Sequence, residues 1–253
     1  MKRPRSALRW LAGGAGLAFA SLAYAYLTLP DVRPLATTRP ETTAFMELRA
    51  RNAAAQGRRP KRVQSWVRLS HVSRHLQRAV VVSEDAAFWG HEGVDFDELR
   101  ASIEVNLAEG QVVRGASTIT QQLAKNLYLS PSRNPVRKVR ELIIARRLEA
   151  ELTKARIFEI YLNVIEWGDG IYGAEAAARA YFGMSAADLD PAQAALLAGA
   201  IINPLVLSPA RPNARLLARQ RIILRRMGAS SARAQARPSL TLRNSSRMLR
   251  APA

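Results

Sequence analysis

No cysteine occurs in the 253 residues, so disulfides and thiolate metal sites are both excluded. Histidine is nearly as scarce: His71, His75 and His91 are too few and too scattered to form a dense ligand cluster. His71 and His75 share an i,i+4 spacing with no acid beside them. They read as solvated or packing residues ahead of a metal pair. Aromatics are only 6% of the chain and are not interleaved with basic residues as single-stranded nucleic-acid binders require. Alternating strand patterns and internal repeats are also lacking. From Arg211 onward there is no acidic residue.

What is present is apolar and basic. A hydrophobic share of 48% over 253 residues suits one folded domain with appendages. The 38 basic against 20 acidic residues leave a net charge of +18, which demands an anionic partner: nucleic acid, a membrane surface or a phosphorylated substrate. Lys2, Arg3, Arg5 and Arg9 crowd residues 1–9, and Trp10 to Leu29 then runs without a charge. Roughly 20 such residues suffice to cross a bilayer as a helix. The basic flank places residues 1–9 in the cytoplasm and everything after residues 10–29 on the outer face of the membrane. Ala23-Tyr24-Ala25 offers the alternative of a cleaved signal, but the length of the apolar run favours a retained anchor. Either way the domain is exported, which argues against nucleic acid as the partner.

Residues 30–62 carry proline and arginine without periodicity and read as a linker or membrane-proximal segment. Residues 63–228 read as the folded, mainly α domain. Apolar spacing predicts helices over 97–109, 117–129, 135–152, 154–162, 173–182, 191–201 and 213–227, with Asp190-Pro191 as a start signal. Residues 229–253, rich in Arg, Ser and Ala, read as a basic disordered tail. Phe45, Met46 and Trp66 are the candidates for a lipid-facing surface.

Three stretches carry chemistry. Ala79-Val80-Val81-Val82 runs into Glu84-Asp85, so a carboxylate follows an apolar strand or buried helix end. Desolvation there favours the protonated form and makes a plausible proton acceptor, although a helix cap or an ion pair would use the same residues. Between Gly115 and Asn126, Ile119, Leu123 and Leu127 form a buried helical stripe. Ser117, Gln121 and Lys125 form a second stripe, and Thr118, Gln122 and Asn126 a third. Amides and hydroxyls ending in one cation suit sugar hydroxyls and a phosphate; Ser117 or Thr118 could instead cap the helix, but capping does not explain the paired glutamines. Finally, Arg133, Arg137, Lys138 and Arg140 surround Glu141, and cations one turn away favour its ionised form. A sugar–sugar hydrolase needs a protonated acid for its leaving group, whereas a pyrophosphate leaving group needs positive charge. The excess of cations favours transfer from a sugar pyrophosphate.

Glu84 to Phe88 with His91 and Gly93, Gly115 to Asn126, Arg137 to Glu141, and Ile157 to Gly183 stand in the order of the peptidoglycan glycosyltransferase motifs, a family that the chain resembles from Val80 to Gly183 and more loosely from Thr43 to Met227. The last stretch holds Glu159-Ile160-Tyr161-Leu162-Asn163 and Trp167-Gly168-Asp169-Gly170. The resemblance is nearest to the monofunctional members, because the chain has neither the length nor a Ser-x-x-Lys motif for a transpeptidase domain. It implies a lysozyme-like fold with a smaller membrane-proximal jaw. It also implies lipid II and a growing lipid-linked strand as substrates, other cell-wall synthesis proteins as partners, and a divalent cation as helper.

By motif position, Glu84 is the expected general base and Glu141 the second essential carboxylate, positioning the pyrophosphate through a metal or through Arg137 and Lys138. Lys125 and Arg133 are expected to hold the donor phosphates. Ser117, Thr118, Gln121, Gln122 and Asn126 would line the cleft, while Asp85, Phe88 and His91 shape the loop around Glu84. Met184 stands where relatives often carry lysine. The rivals are a lysozyme-like hydrolase, disfavoured by the cations around Glu141, and a basic scaffold or nucleic-acid binder, disfavoured by export.

Overall fold

The structure, a computed structural model, describes residues 13–16, 19, 20, 24, 26–110, 115–132 and 134–235. Part of the expected membrane span over 10–29, the basic residues 1–9, Arg133 and the tail from 236 lie outside the described residues. Among the described residues no helix is long and apolar enough to cross a membrane.

The fold is mainly helical. Residues 29–62 are not a bare linker: Leu29, Val32, Leu35 and Met46 are buried in the core. A 3₁₀ turn over Arg33–Ala36 leads to helix α1 (Ala44–Ala55), capped by Thr43, whose hydroxyl accepts from the Met46 amide. Helix α1 shows no single apolar face because its alanines, arginines, leucine and glutamate favour helix by propensity alone. Arg156 fastens the segment in front of it by donating to the carbonyls of Leu35 (2.8 Å) and Thr38 (2.5 Å).

Helices α2 (Arg74–Glu84) and α3 (Phe96–Ala108) follow. The apolar run before Glu84 is therefore a helix end, with Ala79, Val80 and Val82 buried. Helices α4 (Ile119–Tyr128), α5 (Pro135–Glu151) and α6 (Lys154–Val164) come next, and α4 packs on both of the others and on α1. Helix α7 (Ala174–Phe182) precedes α8 (Pro191–Ala200), which opens with a capping box between Asp190 and Gln193. Helix α8 lies against α2 and against α9 (Ala214–Gln235). Helix α9 continues past residue 228, so the first seven residues of the expected disordered tail extend a helix instead.

One small sheet joins the start of the domain to the segment between α6 and α7. Strand β1 (Val63–Gln64) runs parallel to β3 (Ile171–Tyr172), which pairs antiparallel with β2 (Glu166–Gly168). Asn163, 1% exposed, staples the strand segment to α6. Its amide oxygen accepts from the Val67 amide at 2.9 Å, and its NH₂ donates to the Val67 and Glu159 carbonyls. In the hairpin, Gly170 has φ +73°, and a Cβ there would lie 2.7 Å from the Lys61 carbonyl oxygen. Left-handed backbone and backbone crowding coincide, so Gly170→Ala is expected to destabilise the domain by about 1–3 kcal/mol, read from the midpoint of a urea melt.

Candidate active site

Glu84 is the last residue of α2, where the helix stops because Asp85 turns its backbone to φ −162°. The Asp85 carboxylate accepts from His91 Nε2 at 3.0 Å and from the Ile119 amide, the first N–H of α4, at 2.9 Å. An anion at a helix N-terminus satisfies an otherwise orphaned donor and meets the positive end of the helix dipole. The Gly93 amide donates to His91 Nδ1, so the ring proton sits on Nε2 and points at Asp85. Phe88 is fully buried, 5.5 Å from the Phe158 ring and 4.5 Å below Lys154 Nζ. Asp85, Phe88 and His91 thus fix the loop while Glu84 is left at its edge.

Glu84 is partly exposed. Its Oε2 accepts from Gln122 Nε2 at 3.1 Å, and the Gln122 amide is in turn oriented by Tyr161, whose hydroxyl donates to Gln122 Oε1 at 2.8 Å. Burial pushes the Glu84 carboxyl above the ordinary carboxylate value. The Gln122 hydrogen bond, the charge of Arg219 and the Ser83 hydroxyl pull it down, and Asp85 adds to the rise. Burial and the charges of Glu84 and Asp85 raise Tyr161 well above its usual value, so it stays a donor.

Helix α4 also contacts a cluster of cations. Glu141 is 2% exposed, with Oε2 2.5 Å from Arg137 Nη1 and Oε1 2.5 Å from Lys138 Nζ. Lys138 also donates to Ser117 Oγ (3.3 Å) and Gln121 Oε1 (3.4 Å), which draws the polar helix and the basic turn together. Lys125 is half-buried and its ammonium has no hydrogen-bond partner among the described residues. Burial lowers its pKa; Glu141 opposes that shift, and Arg137 and Lys138 add to it.

The polar stripes do not all face one space. Thr118 is the N-cap of α4 and Gln121 closes its capping box, both 2% exposed, with Thr118 Oγ1 donating to the Gly93 carbonyl at 2.7 Å. Ser117 is exposed. Gln122, Lys125 and Asn126 line a cavity of about 260 Å³. Among the described residues no three His, Asp or Glu side chains converge on a metal position. Both Glu141 oxygens already face cations, so the residues do not fit a divalent ion held by the protein alone.

Several site residues lay outside the sequence reading. Tyr161 was legible only as part of the α6 motif, and Arg219 sits on α9 beyond the last motif. Arg49 and Glu166 also line the cavity and pair at 2.8 Å. The one signal for Glu166 was a lone acid between Ile165 and Trp167. The candidate lipid-facing residues are otherwise placed. Met46 is buried, Phe45 lines the cavity, and Trp66 lies beneath Arg39 (5.4 Å) and Arg156 (5.6 Å). Met184 packs against the core.

The family model described as Transglycosylase matches residues 51–228. The chain is similar to a biosynthetic peptidoglycan transglycosylase of Herminiimonas arsenicoxydans, with 48% identity over 76% of this chain and 83% of that one. A protein of the same name from Methylobacillus flagellatus is 50% identical over 74% of this chain and 82% of its own. One from Laribacter hongkongensis is 44% identical over 87% and 97%.

Proposed function

The chain belongs to the transglycosylase family, and from that membership we propose that it polymerises lipid II into β-1,4-linked glycan strands with inversion and release of the polyprenyl pyrophosphate. The supporting observation is the position of α4, whose Gln122 holds the raised carboxyl of Glu84 and whose Lys125, one turn on in the same cavity, lies within electrostatic reach of Arg137 and Lys138. A base and a cation cluster brought together along one helix are what an acceptor hydroxyl and a departing pyrophosphate require.

In this reading Glu84 takes the proton from the 4-hydroxyl of the incoming lipid II sugar. The freed oxygen attacks the anomeric carbon of the growing strand as its bond to the pyrophosphate oxygen breaks. Lys125, with Arg133, Arg137 and Lys138, stabilises the charge that develops on the leaving group. Glu141 holds Arg137 and Lys138 in place for that task, and Ser117 and Asn126 border the bound sugars. Thr118 and Gln121 act through the shape of α4. Residues 10–29 anchor the chain in the cytoplasmic membrane, with the N-terminus inside and a lysozyme-like catalytic domain with its jaw outside. Within residues 51–228 the reading gives glycosyl transfer and no peptide cross-linking, and other cell-wall synthesis proteins are its natural partners.

Detergent-solubilised protein incubated with labelled lipid II, with Mg²⁺ or with chelator, tests this on a gel. The expected result is a polymer ladder that lysozyme digests; loss of the ladder in the chelator lane would assign a divalent cation carried by the pyrophosphate. Release of soluble sugars from purified cell wall without any ladder would make the protein a hydrolase instead.

A further inference from the structure

The cavity beside Gln122 has a wall that the proposed transfer leaves without a role. Helix α1 contributes Phe45 and Arg49 to it, one turn apart, and β2 contributes Glu166. Arg49 donates from Nε (3.0 Å) and Nη2 (2.8 Å) to a single oxygen, Oε2 of Glu166. Its guanidinium also lies 5.1 Å over the Phe45 ring. The pose is therefore fixed from two directions, while Nη1 has no hydrogen-bond partner among the described residues. The side chain of Arg49 is 34% exposed and that of Glu166 only 3%.

This pair is a poor device for stability. Glu166 Oε1 is buried, and burial pushes the Glu166 carboxyl above its usual value, against the pull of Arg49 and of the Gly170 backbone amide. A carboxylate taken out of water costs folding free energy, and an apolar residue would fill the same space without that cost. What the carboxylate does achieve is to orient a guanidinium that lines the same cavity as Lys125. A planar fork with open N–H groups matches phosphate and carboxylate oxygens.

Resting on the transferase reading, we propose that Arg49 is a substrate-binding residue for an anionic group of the lipid-linked glycan, shared with Lys125, and that Glu166 is the positioning residue that aims it. The anionic oxygens belong either to the pyrophosphate or to a carboxylate of the peptide stem.

The test uses the full chain in detergent with labelled lipid II. Arg49→Ala is expected to raise KM about tenfold while kcat changes much less, because the contact is made in ground state and transition state alike. Glu166→Gln, which keeps the shape and loosens the hold on Arg49, should raise KM in the same direction without lowering the melting temperature. Repeating the assay on lipid II with amidated stem carboxylates identifies the source. A KM effect of Arg49→Ala that disappears on the amidated substrate assigns the carboxylate, and one that persists assigns the pyrophosphate. If Arg49→Ala does not fold, Arg49→Lys decides, since it keeps the charge and loses the fork. An unchanged KM in a folded Arg49 variant overturns the proposal while the wild-type ladder leaves the transferase reading standing. No ladder from folded wild type overturns both.

Discussion

Replacement of Glu84 by glutamine is expected to cut polymerisation by about 10²–10⁴-fold, the usual range for loss of a positioned general base. The substitution is nearly isosteric, and the new amide oxygen can still accept the Gln122 N–H that now reaches Oε2 at 3.1 Å. Only basicity is removed. Because burial raises the Glu84 carboxyl and the base must be ionised to act, wild-type activity should climb with pH through a limb above the ordinary carboxylate range. Stability moves the opposite way. A carboxyl whose folded-state pKa exceeds its unfolded value contributes stability that is full below the unfolded value and is lost as pH rises through the folded one. Glutamine cannot suffer that loss. Glu84→Gln should therefore melt at a higher temperature than wild type near neutral pH, with the gap closing on acidification. A variant that polymerises at the wild-type rate would remove Glu84 from the mechanism.

The helices were legible where an apolar stripe repeats at helical spacing, as in α4, with Ile119, Leu123 and Leu127 on one side. Helix α1 was not, because its residues favour helix without sorting into faces and only Met46 of its length is buried. Helix α2 was ambiguous for another reason. Three consecutive valines fit a strand as well as a buried helix, and the packing of α2 against α8 decides between them. The site followed the same division. The order of polar residues along α4 was readable, and Thr118, one of its two capping candidates, is the N-cap. With Thr118 as cap, Gln121 closes the capping box and Gln122 turns to Glu84, so the paired glutamines part company. Arg49 and Glu166 stand 117 positions apart, and no local pattern specifies a contact across that separation.

Glu141→Gln should prove nearly as damaging to activity as the loss of Glu84, for an electrostatic reason. Each Glu141 oxygen carries one cation at 2.5 Å, and with the charge gone Arg137, Lys138 and Lys125 are left to repel one another. Losing one partner of a fully buried pair costs about 3–5 kcal/mol. Lys138 is 43% exposed here and solvent reclaims much of its charge, so about 1–3 kcal/mol is the expected stability loss. The effect on turnover should be larger, about 10²–10³-fold, because misplaced cations no longer meet the pyrophosphate as it departs. A double-mutant cycle with Lys138→Gln separates the two ways of losing rate. If Glu141 works by aiming Lys138, the second substitution adds little once the first is made. Additive losses would mean that Glu141 touches the substrate or its metal on its own account, and Lys138 would then act beside it rather than through it.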